Sequence, residues 1–377
     1  MKIAAITNSL IPSSTANSIQ VMKVCDAMRQ AGQEVCVWAP GKRQVEFASL
    51  KPQYGLVSDF KVRWLPSVRR LKRYDFTLST LRAARRWGAD LVYTWLPQVA
   101  VGALALGMPT VLEAHDRATG RFGLFWLKRF LQAGGKKQLV VVSAALRHAL
   151  EEQTGLSITD QAVVIAPNGV DLARYQGLPS SQEARRKLLL REAPTVGYTG
   201  HFYAGRGVDL LFSIARAFPD CLHLWIGGRE EELAPLRARL AAENLPQVTL
   251  TGFIPNDQLA MYQAASDILL MPYERAIAGS SGGNSADICS PMKMFEYLAV
   301  GRAIVSSDLP VIHEVLDESC AIFCQPEDPA GWVAAIRRLL DDMTLRLRLS
   351  EKALRVSRAL GVDARQQRIL RFLEDKA

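Results

Sequence analysis

The sequence predicts an α/β protein made of two doubly wound, parallel-sheet domains in tandem. Three observations predict it. Short apolar runs alternate with helical patterns along the chain, which implies parallel strands with helices on both faces. At 377 residues the chain exceeds one typical domain and suits two. A polar stretch from Asp171 to Pro194 breaks the alternation and marks a boundary. The expected layout is a first domain over 1–175, a second over 190–360, and a C-terminal helix over 361–377 that can cross back to the first. Doubly wound domains bind ligands beyond the C-terminal ends of their strands, so the cleft between the two is the expected site.

The elements follow in order. Lys2 to Thr7 reads as a strand rather than a leader, Asn8 to Asn17 as a polar loop, and Ser18 to Ala31 as a helix stopped at Gly32. Glu34 to Ala39 is the second strand. The unit then repeats with strands near Leu91–Thr94, Thr110–Ala114, Leu139–Val142 and Ala162–Ala166. Beyond the boundary, strands are expected near Val196–Thr199, Leu222–Ile226, Val248–Thr251, Ile268–Met271, Ala303–Val305 and Ile322–Cys324. The segment from Ala276 to Ala286 is rich in Gly, Ser and Asn and is expected to be mobile. The first loop lacks GxGxxG, so a dinucleotide fingerprint is absent.

Charge and cysteine content narrow the function classes. The net charge is +9, yet residues 1–180 hold 23 Lys and Arg against 12 Asp and Glu, so the surplus lies in the first half. Nine of those basic residues fall between Lys61 and Arg86, against one acid, Asp75, with Trp64, Tyr74 and Phe76 interleaved. Such a cluster fits an anionic membrane surface or a solvated helix face. No nucleic-acid module surrounds it. The six cysteines form no CxxC pair and the five histidines are scattered, so reduced thiols in a cytoplasmic protein, and no metal site, are expected. Arg121 to Phe130 is expected to be a helix that buries its apolar face.

The chemistry centres on Ser290 to Ser307. Ser290 is a good N-cap, Pro291 fits the first helical position, and Gly301 ends the helix. Lys293 then sits in the first turn, where the helix dipole disfavours a cation. An anion on the N–H groups of Met292 and Lys293 reverses that problem, and a diphosphate fits the need. Glu296, one turn on, can face the same cleft. The plainer alternative is an amphipathic helix with Lys293 and Glu296 as a solvated pair.

Five stretches in order resemble the retaining family-four glycosyltransferases of GT-B fold. They are Ala166-Pro-Asn-Gly-Val-Asp171, Gly200-His201 with Gly205-Arg-Gly-Val-Asp209, Trp225-Ile-Gly-Gly228 with Thr251-Gly-Phe-Ile254, Ala265-Ser-Asp-Ile-Leu-Leu-Met-Pro272, and the Ser290 stretch. The resemblance implies a sugar transferred with retention from a nucleotide-diphosphate-sugar donor, held by the second domain, to a glycan or lipid-linked acceptor held by the first. No cofactor is implied. Glu296 matches the glutamate that binds the donor ribose. Arg206 stands where a phosphate-binding lysine is usual. Gly200, His201, Gly227, Phe253, Ile254, Ser290 and Met292 fall in the donor-binding stretches. The family's first glutamate falls at Ile288, which cannot bind hydroxyls; Asp287 can substitute after a one-residue shift. His201 stands where arginine is commoner. His115, after the strand ending in Glu113-Ala114, resembles the histidine that contacts the donor sugar near the reacting carbon. His115, Arg206 and Lys293 are thus the expected catalytic set. Asn17, Ser18 and Gln20 open the first helix and can meet phosphate or acceptor, or simply cap it. The rival readings are a GT-B nucleotide-sugar epimerase and a non-catalytic nucleotide-sugar-binding protein.

Overall fold

The computed structural model describes residues 1–42, 44–277 and 284–373. Two compact units emerge, 1–167 with 362–377, and 168–361.

The first unit is a seven-stranded sheet: β1 (Lys2–Ile6), β2 (Glu34–Pro40), β3 (Lys61–Leu65), β4 (Leu91–Thr94), β5 (Thr110–Ala114), β6 (Lys137–Val141) and β7 (Val163–Ile165). Its order is β3-β2-β1-β4-β5-β6-β7, with every pairing parallel. Strand order reverses between β1 and β4, which places the ligand crevice of this unit at the loops that leave those strands. The central strands are buried on both faces, as their unbroken apolar runs require.

The second unit is a six-stranded parallel sheet: β8 (Thr195–Thr199), β9 (Leu222–Ile226), β10 (Val248–Leu250), β11 (Ile268–Met271), β12 (Ala303–Ser307) and β13 (Ala321–Cys324). The order β10-β9-β8-β11-β12-β13 reverses between β8 and β11. Gly200-His201 leaves β8 and Pro272-Tyr273 leaves β11, so two of the recognised stretches flank the switch point.

Several local expectations change. Lys61 to Leu65 is an edge strand with alternating exposure, Lys61 and Arg63 outward, and Val62 and Trp64 packed on the core. Charged residues on an edge strand discourage pairing with another chain. The first helix begins at Ala16, not Ser18, because Thr15 caps it by accepting from the Ser18 N–H. Within Asp171–Pro194, Ser181–Lys187 forms a helix with a Ser180/Glu183 capping box. Its Arg185 is buried against Asp267 at 2.9 Å.

The unit bounds at 167/168 and 361/362 also differ from 175, 190 and 360. Asn168 bonds to Ser290, and the Val170 N–H donates to the Leu360 carbonyl, so 168–175 is held by the second unit. The C-terminal helix Val362–Leu370 belongs to the first unit, where Ile369 and Leu370 join its core. Of the expected mobile segment 276–286, residues 278–283 lie outside the described residues.

Candidate active site

In the second unit the helix Met292–Val300 starts one residue later than expected. Pro291 is its N-cap and gives no side-chain cap. Ser290 therefore does not cap the helix: its Oγ accepts from the Asn168 N–H at 3.0 Å, and its carbonyl accepts from Asn168 Nδ2 at 2.6 Å. The N-cap itself therefore supplies no side-chain acceptor to the first N–H groups, and free N–H groups at a helix start are where an anion binds. Met292 is half-buried beside it.

Lys293 is only 8% exposed. Its Nζ has no hydrogen-bond partner among the described residues and lies 4.0 Å from the Tyr198 ring centroid and 5.2 Å from that of Tyr273. Burial, and then the like charge of Arg206, push its pKa well below the ordinary lysine value, and Glu296 only partly opposes them. Arg206 stacks over the same Tyr273, at 5.1 Å, and over Tyr203 at 4.7 Å, while donating to the Tyr203 hydroxyl. One aromatic ring thus gathers two cations. The arrangement holds uncompensated positive charge ready for an anion.

The glycines explain how close a ligand can come. A Cβ on Gly200 would sit 3.0 Å from Lys293 Nζ, and one on Gly227 would sit 2.5 Å from the Gly200 carbonyl oxygen. Both have positive φ, so glycine is required twice over. Phe253 is exposed and Ile254 half-buried just beyond.

His201 is held by a residue the sequence reading missed. Its Nδ1 is 2.9 Å from Glu232 Oε1, and Glu232 Oε2 accepts from the Phe202 N–H. No motif marks Glu232; it lies 31 residues on. Glu296 is 6% exposed and accepts from Gln263 Nε2 at 3.0 Å, with Gln263 accepting from the Tyr175 hydroxyl. It is a buried, oriented carboxylate rather than half of a solvated pair. Asp287 is exposed and Ile288 fully buried.

In the first unit, His115 follows β5 and its Nε2 lies 2.7 Å from Glu113 Oε1. Glu113 is a buried hub that the sequence reading passed over. Its Oε1 also accepts from Gln20 Nε2 at 2.9 Å and from Arg365 Nη2 at 2.7 Å, and its Oε2 accepts from the Tyr93 hydroxyl. Burial alone would raise the Glu113 carboxyl. The Arg365 guanidinium, with His115 and Tyr93, overrides that and holds it well below the usual carboxylate range. Gln20 is thus a support for Glu113. Ser18 is fully buried, donating to the Ser13 carbonyl and bonded to the Tyr54 hydroxyl; of the three loop residues only Asn17 is exposed.

The basic stretch also resolves into parts. The helix Tyr74–Trp87 buries Phe76, Leu81 and Ala84 and exposes Arg82, Arg85 and Arg86. Beside it, Trp126 donates to the Tyr74 hydroxyl at 3.0 Å, and Lys72 Nζ stands 4.4 Å over the Phe122 ring. The helix Gly123–Gln132 buries Leu127 and Phe130, yet Phe125 on it and Phe122 at its N-cap remain exposed, as do Leu71 and Leu78 nearby in sequence to Lys72. The expected helix over Arg121–Phe130 thus forms from Gly123 and buries an apolar face, while Phe122 and Phe125 at its start stay exposed beneath Lys72 and Arg129. No helix among the described residues is long and apolar enough to cross a membrane.

Two parallel-sheet domains, the second carrying an anion-ready cation pair at its switch point, define a glycosyltransferase of the GT-B class. Residues 18–174 match the family model for glycosyltransferase family 4, and residues 193–342 match that for glycosyl transferases group 1. The chain belongs to this family and transfers a sugar from a nucleotide-sugar donor. Among its relatives is the phosphatidyl-myo-inositol mannosyltransferase of Mycolicibacterium smegmatis, 28% identical over 344 residues, covering 86% of this chain and 81% of the relative. Another is the 2-deoxystreptamine glucosyltransferase of Streptomyces kanamyceticus, 22% identical over 293 residues, covering 70% of this chain and 71% of that one. In fold the chain is similar to Anabaena HepE, solved with UDP-glucose, with a TM-score of 0.77 at 16% identity over the full length of both chains.

Proposed function

We propose that the enzyme is a retaining, metal-independent hexosyltransferase acting on a lipid-linked or glycan acceptor at the cytoplasmic face of a membrane, where it sits peripherally. The observation that carries the donor half is the buried Lys293, whose Nζ has no hydrogen-bond partner among the described residues, beside Arg206 in the first turn of a helix whose N-cap gives no side-chain acceptor. These groups stabilise the departing diphosphate, which is the work a divalent cation would otherwise do. Glu296 accepts the two ribose hydroxyls, the N–H groups of Met292 and Lys293 take the diphosphate, and Gly200, Gly227, Phe253 and Ile254 border the nucleotide. His201 and Asp287 meet the donor sugar. No side-chain nucleophile is assigned; the leaving phosphate assists deprotonation of the acceptor hydroxyl, and His115 positions a sugar hydroxyl at the reacting carbon.

The test is a panel of nucleotide sugars with and without acceptor lipids, read by product formation and by the anomeric configuration of the product. An isomerised sugar formed without acceptor would instead assign an epimerase. Glu296→Ala is expected to weaken nucleoside diphosphate binding about 10-fold or more, the scale of a charge-assisted hydrogen bond, while the circular dichroism spectrum stays native. Unchanged affinity would remove Glu296 from the ribose.

Two acceptor clues support a lipid. One relative is a phosphatidyl-myo-inositol mannosyltransferase, and Lys72 stands over the exposed Phe122 while Arg129 stands over the exposed Phe125. Each basic residue near an anionic surface contributes about 1 kcal/mol, and aromatics dip into the interface. The protein should co-sediment with anionic but not neutral vesicles, less so as salt rises. Arg70, Lys72 and Arg73 changed to Ser should halve the bound fraction or more. Indifference of the wild type to anionic vesicles at low salt would point to a soluble acceptor.

A further inference from the structure

We infer that Glu113 and Arg365 are positioning residues that fix the protonation pattern of His115, leaving its Nδ1 as a hydrogen-bond acceptor for a substrate hydroxyl. The inference deepens the role given to His115 above and rests on it.

The argument begins with what a carboxylate can do. Glu113 has no exposed side-chain surface, and its Oε1 takes hydrogen bonds from three directions: Gln20, Arg365 and His115. An ionised carboxylate only accepts. Arg365 is itself buried against it, at 2.7 Å, and Arg365 Nε and Nη2 also donate to the Ala166 carbonyl and Nε to that of Pro167, so the guanidinium cannot swing away. The partner of Glu113 Oε1 on the His115 ring must therefore be an N–H, and that nitrogen is Nε2. In a neutral imidazole the other nitrogen then carries a lone pair.

His115 Nδ1 makes no hydrogen bond among the described residues, and the side chain is 20% exposed, so the ring is anchored on one side and open on the other. A bare Nδ1 accepts from a sugar hydroxyl; it cannot donate to a phosphate or ring oxygen while the ring is neutral. The anchor comes from opposite ends of the chain: Gln20 from the first helix, Tyr93 from β4, Glu113 from β5, and Arg365 from the C-terminal helix. The helix that returns at 362–370 thus completes the support of His115, beyond adding Ile369 and Leu370 to the core.

Nitrogen-15 NMR of the labelled full-length protein tests this directly, with the His115 ring assigned by its loss in His115→Gln. The expected signature is a ring proton on Nε2, downfield and protected from water exchange, with Nδ1 the unprotonated nitrogen of the neutral ring. A neutral ring with its proton on Nδ1, or an Nε2 proton that exchanges as freely as that of an exposed histidine, overturns the inference, and this arm leaves the Glu113–Arg365 pair intact. Activity gives the second arm. Arg365→Met should lower kcat with little change in the KM for the donor, Arg365→Lys should restore part of it, and Arg365→Met combined with His115→Gln should be no worse than His115→Gln alone. Additive losses would show that Arg365 does not act through His115. If instead His115→Gln turns over normally while the Nε2 proton is present, the role of His115 in transfer fails and the anchored tautomer stands.

Discussion

Glu113→Leu is expected to destabilise the first unit by about 3–5 kcal/mol, the cost of stranding a buried partner charge. Arg365 would remain buried with no carboxylate, and Gln20, Tyr93 and His115 would each lose an acceptor. Glu113→Leu with Arg365→Met removes both charges, and such apolar replacements are often close to neutral. The double variant should therefore recover most of the loss, read as two thermal midpoints that separate the single from the double. The pH dependence has a defined sign. Glu113 titrates lower in the folded than in the unfolded chain. Its contribution is therefore complete above the ordinary glutamate pKa and is lost as pH falls below it toward the depressed folded value. Wild type and single variant should converge in stability across that acidic window. A single variant as stable as wild type at neutral pH would show that the network is not what holds Glu113 ionised.

The hub also marks the limit of what the sequence could give. Strand positions and their parallel class were legible because parallel strands buried on both faces leave unbroken apolar runs, as at Leu91–Thr94 and Ile268–Met271. The stretches around Gly200 and Gly227 were legible through their resemblance to the family, and both glycines have positive φ. What escaped was non-local. Glu113 and Arg365 are 252 residues apart, and His201 and Glu232 are 31 apart, with no periodicity linking either pair. Ser290 had the right chemistry for a helix cap, yet Asn168 takes its side chain, a competition only the folded chain reveals. Lys61–Leu65 carried the period-two pattern of a strand, but its two lysine and arginine positions drew attention to charge instead.

Lys293→Met should produce two effects of opposite sign. In the free protein the ammonium is buried 4.0 Å above Tyr198 with no hydrogen-bond partner among the described residues, and Arg206 repels it. Methionine fills similar space without charge, so the free protein should gain about 1–4 kcal/mol, the range seen when buried ions give way to apolar groups. Binding should move the other way. A charge-assisted contact to a diphosphate contributes about 1.5–3 kcal/mol, so affinity for the nucleotide sugar should fall about 10- to 150-fold. The pH slopes separate this account from simple loss of packing. Because the folded pKa of Lys293 is lowered, the unfolded chain holds one more proton between that value and the ordinary lysine value. Wild-type stability therefore rises with pH across this window, and the advantage of the methionine variant shrinks. The diphosphate binds the protonated form, so wild-type affinity should weaken as pH rises through the same window, by at most tenfold per pH unit for one proton, while the variant's affinity stays flat. Calorimetric titration in buffers of different ionisation enthalpy should record up to one proton taken up by the wild type on binding and correspondingly less by the variant. A wild-type affinity independent of pH, or a variant that is both less stable and equally tight, would place the diphosphate away from Lys293.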